Sequence, residues 1–214
     1  WLGFCRANHT RACQSSVDVL EHLPMLKVID CADLSIIPLP AHQAYAALSY
    51  VWGPVQPPHV GRRNSADKTQ RIPLPEPLPP LIVDAIQATK SLGLNYLWID
   101  QYCIDQSDAA DKMIQIQNMD LIYDAADFAI ITASGSDPSH GLPGVGHTPR
   151  ISQTCVEINN AQFVSTLPAP HVPIQGSKWF TRGWTFQEGI LSRRRLVFTP
   201  QQVYFECNGM QACE

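Results

Sequence analysis

The chain has 214 residues, of which 45% are hydrophobic and 16% are charged, and its formal net charge at pH 7 is −4. This composition excludes a long disordered chain, a coiled coil and a collagen, and the negative charge argues against a nucleic-acid partner. No run of about 18 apolar residues is present, so we expect no membrane span. The length predicts a single α/β domain with insertions.

The first 40 residues are predicted to form a lead-in that packs on the domain, and the domain itself covers residues 41–214. Within the lead-in, the pattern predicts a short helix over 14–23 and a strand over 26–30. An apolar and aromatic run over 45–53 predicts a buried strand whose carboxyl end opens into a loop.

Two long segments interrupt the domain and are predicted to be insertions. Residues 54–80 contain eight prolines, which predicts an insertion without a core of its own. Residues 137–176 are rich in glycine and proline and have room for one pair of strands.

The remaining segments alternate between helical and strand patterns. Helices are predicted where apolar residues recur every three or four positions, and strands where short apolar runs end in turn residues. The predicted order is helix 81–92, strand 95–100, polar loop 101–111, helix 116–126, strand 128–133, helix 179–193 and strands 195–199 and 203–207.

Strands that alternate with helices predict right-handed crossovers and therefore a mainly parallel sheet with helices on both faces. In such sheets the ligand binds beyond the carboxyl ends of the strands, where the strand order reverses. Residues 49–53, 100–106 and 134–136 follow predicted strands. We expect them to converge at this edge, flanked by the helix that begins near Trp179.

Several common catalytic motifs are missing from the sequence. There is no G-x-G-x-x-G after a strand, no P-loop, no H-E-x-x-H and no G-x-S-x-G. A Rossmann dehydrogenase, a P-loop hydrolase, a zincin and an α/β-hydrolase are therefore without support.

The seven cysteines lack the dense, regular spacing of a disulfide scaffold. We therefore expect reduced thiols and an intracellular location. A catalytic cysteine needs an electropositive, partly exposed setting and a nearby base. No sequence feature supplies either to Cys103, so we expect this residue to pack in the interior.

Three residues near the start of the chain have the spacing of metal ligands. Cys5, His9 and Cys13 would share one face of a helix, and a structural zinc site needs four such ligands. His22 or Cys31 could supply the fourth. The alternative is a buried thiol pair with a packing histidine, and it is favoured because free cysteine is a common core residue.

Separated segments of the chain carry a specific family pattern. They read YAALSYVWG at 45–53, LWIDQYCIDQ at 97–106, MDLIYDAA at 119–126, RGWTFQE at 182–188 and VYFEC at 203–207. In this order they resemble the HET domain, the fungal heterokaryon-incompatibility family. The resemblance implies a cytoplasmic fungal protein, part of a larger allorecognition or immune-type receptor, whose HET domain triggers cell death.

A more distant resemblance bears on chemistry. A strand ending in Ser49 and Tyr50, a strand ending in Asp100, and a helix with Trp184 and Glu188 are similar to TIR domains. Some TIR domains cleave NAD⁺ with a glutamate in that helix. The resemblance implies a TIR-like or flavodoxin-like sheet, NAD⁺ or a related nucleotide as ligand, and self-association that completes the site. The two long insertions depart from the TIR pattern.

Physical chemistry supports a catalytic role for Glu188. Trp184 and Glu188 are four residues apart, so they project from one helix face with Gln187 beside them. Cleavage of the nicotinamide–ribose bond builds positive charge on the ribose, and a nearby carboxylate stabilises that charge. Nicotinamide leaves as a neutral molecule, so one carboxylate can suffice and no added cofactor is required. Trp184 or Trp52 could stack on the cationic ring.

Each predicted binding residue also has a simpler interpretation. Asp100 could contact a ligand or cap the loop after its strand. Ser49 and Tyr50 could touch the nucleotide, although Tyr50 is favoured as a core residue. Arg182 could meet a phosphate, or it could pair with Asp100 or Glu188.

The last candidates are assigned by position. Gly53 and Gln101 lie next to predicted strand ends and complete the expected binding residues.

Glu188 itself could be an exposed helix carboxylate. Residues 193–195 are consecutive arginines, which we predict to form a solvated helix end.

Two functions from different classes remain open. The first is an enzyme that hydrolyses NAD⁺ to nicotinamide and ADP-ribose through Glu188. The second is a non-enzymatic module that triggers cell death by assembling with partner domains. Nucleotide binding without turnover is a third, weaker interpretation.

Overall fold

The computed structural model describes residues 1–15, 17–53 and 71–214, and for residues 184–187 it describes the backbone only. Helices lie at α1 Leu2–Asn8, α2 Thr10–Cys13, α3 Val19–His22, α4 Pro80–Ser91, α5 Asp100–Cys103, α6 Ala109–Gln117, α7 Met119–Ala125, α8 His171–Gln175 and α9 Gly183–Leu191. Strands lie at β1 Lys27–Asp30, β2 Ser35–Pro38, β3 Ala46–Ser49, β4 Ile72–Pro73, β5 Tyr96–Trp98, β6 Phe128–Thr132, β7 Cys155–Ile158, β8 Ala161–Val164, β9 Arg194–Phe198, β10 Val203–Cys207 and β11 Met210–Cys213.

One mixed sheet organises the fold, with the strand order β11-β10-β9-β6-β3-β5-β1-β2-β4. The four central strands β9, β6, β3 and β5 are parallel to one another. The strands on both flanks pair antiparallel. The structure is therefore α/β, but the predicted parallel arrangement holds only at the centre. Short turns join β1 to β2, β9 to β10 and β10 to β11 as antiparallel hairpins.

The core surrounds the central strands. Every residue of β3 and β6 is buried, which requires cover on both faces of the sheet. Trp98, at the end of β5, is completely buried and meets the ring of Tyr123 in an edge-on contact with centroids 5.6 Å apart. This rigid centre positions the residues that follow β3 and β5.

The first 40 residues contribute two strands to the sheet. β1 pairs with β5 and β2 pairs with β1. The helix predicted over 14–23 is shorter, because the Asp18 side chain accepts a hydrogen bond from the Leu20 amide and starts α3 at Val19.

The helix predicted over 116–126 is divided and begins earlier. Asp108 caps α6 by accepting from the amides of Ala110 and Asp111, so part of the predicted polar loop is helical. The Asn118 side-chain Nδ2 donates to the Ile114 carbonyl oxygen at 2.7 Å. Asparagine competes in this way for backbone groups, and the chain turns there between α6 and α7.

The predicted insertions are partly described. Residues 54–70 lie outside the described residues, and β4 in the following segment pairs with β2 at the sheet edge. In the second insertion, β7 and β8 form a separate antiparallel pair. This insertion is held to α4 by Asp84, whose carboxylate accepts from the Leu142 amide at 2.8 Å and from the Thr148 hydroxyl at 2.6 Å.

The helix predicted over 179–193 is also shorter than expected. A 3₁₀ turn covers Trp179–Thr181, α9 follows, and β9 begins at Arg194. The prediction of a solvated arginine run is wrong, because Arg194 is only 7% exposed and its guanidinium contacts Asp127 Oδ1 at 2.9 Å. Among the described residues, no helix combines the length and hydropathy needed to cross a bilayer.

Candidate active site

A cleft of about 210 Å³ opens where the carboxyl ends of β3 and β5 meet α9. Its position agrees with the expectation for the edge of a parallel sheet. It is lined by Trp52, Asp100, Ile104, Gln106, Lys112, Ile116, Met119, Arg182 and Glu188. Four residues predicted to form the site, from three separate segments of the chain, thus line one cleft.

Glu188 enters the cleft from α9 and is 4% exposed. Its Oε2 atom accepts a hydrogen bond from the hydroxyl of Ser49, the last residue of β3. The Ser49 oxygen in turn accepts from the Trp179 indole N–H at 2.6 Å. This chain of two bonds holds the carboxylate in one orientation.

Asp100 begins α5 directly after β5. Its carboxylate accepts from the Trp52 indole N–H at 3.0 and 3.1 Å and from the Gln101 amide at 2.7 Å. Ile99 occupies the N-terminal capping position of α5 without a side-chain cap. Asp100 therefore binds the Trp52 indole and lines the cleft.

The cleft disfavours the charged forms of both carboxyl groups. Burial raises the pKa of Asp100 from 3.8 to about 7, and the charge of Glu188 adds to the rise. The bonds from Gln101 and Trp52 and the charge of Arg182 oppose it. Burial also raises the pKa of Glu188, although the Ser49 hydrogen bond and the charge of Arg182 each lower it in part. The site therefore holds two carboxyl groups that resist ionising together.

Arg182 precedes α9 and donates to the carbonyl oxygen of Tyr50. The charge of this guanidinium favours ionisation of both Asp100 and Glu188. Lys112 brings a second cationic side chain to the cleft from α6. Positive and negative groups thus share one small space.

Comparison with known proteins identifies the family. A family model described as heterokaryon incompatibility protein (HET) matches residues 45–188. The chain belongs to the HET family. This membership implies a role in heterokaryon incompatibility and cell death. No curated protein and no solved structure matches the chain. The match includes the whole predicted set of site residues, from Ser49 to Glu188.

Other predicted residues of the HET domain lie beside the cleft rather than in its lining. Tyr50 is 2% exposed and its hydroxyl donates to the side-chain oxygen of the buried Gln101. Gly53 has a φ of 75°, a turn conformation that favours glycine. Residues 134–136 contribute nothing to the lining. The side chains of Trp184 and Gln187 lie outside the described residues.

The sequence pattern did not single out some groups that form the site. The pattern assigns Trp179 only to the start of a helix, whereas in the structure its indole N–H donates to the Ser49 hydroxyl oxygen. Lys112, Ile116 and Met119 line the cleft, and their spacing of four and three residues was an available signal. Gln106 donates to the Asp100 carbonyl oxygen at 3.3 Å.

Cys103 does not belong to this cleft lining. Its side chain is fully buried, and its sulfur accepts from the Ile99 amide at 3.4 Å. The placement agrees with the packing role that the sequence favours.

Proposed function

We propose that this HET domain causes cell death by hydrolysing NAD⁺ to nicotinamide and ADP-ribose, on an α/β fold similar to that of TIR domains. The observation that carries the proposal is the meeting of Glu188 and Asp100 in one cleft with Arg182 and Lys112. No metal or added cofactor takes part in this proposal, and NAD⁺ is the substrate.

The charges of the cleft complement those of a pyridine dinucleotide. NAD⁺ combines a cationic nicotinamide ring with two anionic phosphates. The negative carboxylate of Glu188 attracts the cationic ring and the positive charge that develops on its ribose. The Trp52 indole offers a face on which a cation can stack. Arg182 and Lys112 suit the phosphates, because guanidinium and ammonium groups donate several hydrogen bonds to phosphate oxygens.

The volume of the cleft suits part of the ligand. Pockets that enclose drug-sized ligands measure about 300–1,000 Å³, whereas this cleft measures about 210 Å³. We infer that the nicotinamide ring and its ribose enter the cleft and that the adenosine half lies outside.

The proposed reaction breaks the bond between the ribose C1′ atom and the nicotinamide nitrogen. The bonding electrons go to the ring, which leaves as a neutral molecule, and positive charge develops on the ribose. Ionised Glu188 stabilises that charge, and its effect is strong because the site excludes much of the surrounding water. Water then adds to C1′. We propose that Asp100, whose raised pKa of about 7 leaves it partly ionised near neutral pH, accepts the proton that the water releases.

The test is nicotinamide release by purified protein clustered on vesicles, because TIR-like sites are often completed by a neighbouring subunit. Glu188→Gln keeps an oxygen that can accept the Ser49 bond but removes the charge. We expect this variant to lose about 100-fold or more in rate. The matched control is Glu21→Gln, an exposed glutamate of α3 that lies outside the cleft lining, and it should retain full activity. No turnover by the clustered native protein, with cell killing unaffected by Glu188→Gln, contradicts the proposal.

A second candidate is a non-enzymatic module that kills by self-association. The β7–β8 hairpin favours it, because this pair of strands stands apart from the main sheet with all its residues exposed. Val156 and Phe163 are cross-strand partners with exposed fractions of 50% and 57%. A second copy could add to the free edges of this hairpin.

The effect of two variants on cell killing distinguishes the two candidate functions. Phe163→Lys should abolish both self-association in sedimentation experiments and killing if assembly alone is sufficient, while Glu188→Gln should have no effect. If the enzyme candidate holds, Glu188→Gln abolishes killing and leaves the sedimentation of the protein unchanged.

A further inference from the structure

Four side chains with soft donor atoms meet away from the cleft. Cys5, His9, Cys13 and Cys207 each present one ligand atom, and these atoms all lie within 4.8 Å of one another. In a tetrahedral zinc site with three sulfurs and one nitrogen, the donor atoms lie about 3.5–3.8 Å apart. The sulfur of Cys207 is 3.4 Å from His9 Nδ1, so this pair is already close to that spacing.

Backbone structure aligns the first three residues. The His9 amide donates to the Cys5 carbonyl oxygen and the Cys13 amide to the His9 carbonyl oxygen, both at 2.9 Å. Cys5, His9 and Cys13 therefore follow each other at one-turn intervals across the junction of α1 and α2, and their side chains share one face.

The fourth residue comes from the other end of the chain. Cys207 ends β10 and pairs with Met210 in β11, across a turn formed by Asn208 and Gly209. A Cβ atom on Gly209 would lie 2.7 Å from the His9 ring, so glycine allows the ring to approach this turn. The sequence suggested His22 or Cys31 as the fourth residue, but the cluster contains Cys207 instead.

Neighbouring donors suit a cluster of thiolates. The Arg194 guanidinium donates to the Cys5 sulfur at 3.2 Å, and the Gly209 amide donates to the Cys207 sulfur at 3.4 Å. Three thiolates, one neutral imidazole and Zn²⁺ carry a net negative charge, which the buried Arg194 offsets. Hydrogen bonds of this kind to ligand atoms typically orient and stabilise metal sites.

Simple packing explains these contacts less well. A buried thiol pair needs no histidine, and one disulfide would use two sulfurs and leave the third beside an imidazole. Here three sulfurs and a ring nitrogen converge on one point, with the cysteines buried and the histidine half-buried. All four residues also lie outside residues 45–188, which match the family model. They bring the two ends of the chain together.

We propose that Cys5, His9, Cys13 and Cys207 bind one structural Zn²⁺ ion. The ion is bound by three thiolates and by His9 Nδ1, and its binding releases the three thiol protons. It joins the α1–α2 segment to the β10–β11 hairpin, beside the Asn208 side chain, which already donates to the Ala12 carbonyl oxygen at 2.9 Å.

The test begins with the metal content of the 214-residue chain, purified without chelators. We expect one zinc ion per chain by mass spectrometry of the metal. Cys207→Ser should lose this zinc, whereas Cys213→Ser should retain it, because Cys213 is an exposed residue of the same hairpin outside the cluster. Chelation should lower the melting temperature of the native chain and leave that of Cys207→Ser unchanged.

Cobalt gives a measurement that does not depend on the folding of any variant. The native chain, stripped of metal and titrated with Co²⁺, should show sulfur-to-cobalt charge transfer and the visible bands of tetrahedral cobalt. A folded native chain that contains no zinc and gives the spectrum of octahedral cobalt overturns the proposal. So does a disulfide between any two of the three cysteines, detected by mass spectrometry after thiol alkylation.

Discussion

The hydroxyl of Ser49 donates a hydrogen bond to the Glu188 carboxylate and thereby joins the end of β3 to α9. The same hydroxyl oxygen accepts from the Trp179 indole, so one small side chain serves two buried partners. Ser49 therefore controls both the orientation of Glu188 and the ease with which Glu188 ionises.

The first prediction concerns Ser49→Ala. We expect a loss of about 1–3 kcal/mol in the free energy of unfolding, because two buried polar groups lose their partner. The Ser49 bond lowers the pKa of Glu188, so its removal should raise that pKa. The acid limb of the pH profile for nicotinamide release should move to higher pH, and urea unfolding together with that profile measures both effects.

The control for this change is Ser134→Ala. Ser134 is also buried, but its side chain contacts Thr132 rather than the cleft. This variant should leave the pH profile in place. A profile that does not move in Ser49→Ala would show that the hydrogen bond has no effect on Glu188.

The second prediction concerns stability and pH at Asp100. Between pH 3.8 and about 7 the folded chain retains a proton on Asp100 that the unfolded chain releases. The free energy of unfolding should therefore fall as the pH rises through this window. Asp100→Asn cannot ionise, so we expect it to be more stable than the native chain at pH 8 by up to about 4 kcal/mol, and similar to it near pH 4.

Urea denaturation at several pH values between 4 and 8 measures this difference. Glu76→Gln is a suitable control, because Glu76 is exposed and lies away from the cleft lining. It should follow the native curve throughout. Parallel curves for the native chain and Asp100→Asn would contradict a raised pKa at Asp100.

The third prediction concerns the attachment of the second insertion to α4. Asp84 is 5% exposed and accepts from the Leu142 amide and the Thr148 hydroxyl. Asp84→Ala should lower the free energy of unfolding by about 2 kcal/mol, because buried donors lose their acceptor. It should also speed proteolytic cleavage between residues 141 and 148, measured by mass spectrometry of the fragments. Lys90→Ala on the exposed side of α4 should leave both quantities unchanged, and equal cleavage in the two variants would refute this role of Asp84.

The fourth prediction compares two glycines. At Gly53 the φ is 75°, and an added Cβ atom would lie 2.7 Å from the Asp137 Cβ atom. Gly53→Ala should therefore lower the free energy of unfolding by about 1–3 kcal/mol. At Gly3, inside α1, nothing lies within 4 Å of an added Cβ atom. Gly3→Ala should raise the free energy of unfolding by about 0.5 kcal/mol, and chemical unfolding that shows the same sign for both variants would contradict the comparison.

Local sequence patterns predict the centre of the fold well. The apolar runs at 45–53, 95–100 and 128–133 correspond to β3, β5 and β6, because strands buried on both faces require continuous apolar residues. The same patterns predict the ends of helices poorly. Asn118 divides one predicted helix through a side-chain bond to the Ile114 carbonyl oxygen, which apolar periodicity does not reveal.

The candidate site is predictable only in part. The convergence of Asp100 and Glu188 follows from their positions at strand ends and on a neighbouring helix. The role of Trp179 does not, because it depends on which way the indole turns toward Ser49. The burial of Arg194 beside Asp127 is likewise not predictable, because a run of three arginines indicates exposed side chains.

The sequence by itself determined the HET family, the strands of the central sheet and the helix that carries Glu188, because motifs and apolar periods are properties of neighbouring residues. Only the tertiary structure decided which distant side chains face each other. Ser49 meets Glu188, and Cys207 meets His9, because the strand order brings separate parts of the chain together. Such contacts depend on how the sheet is assembled, and the spacing of residues along the chain does not reveal that assembly.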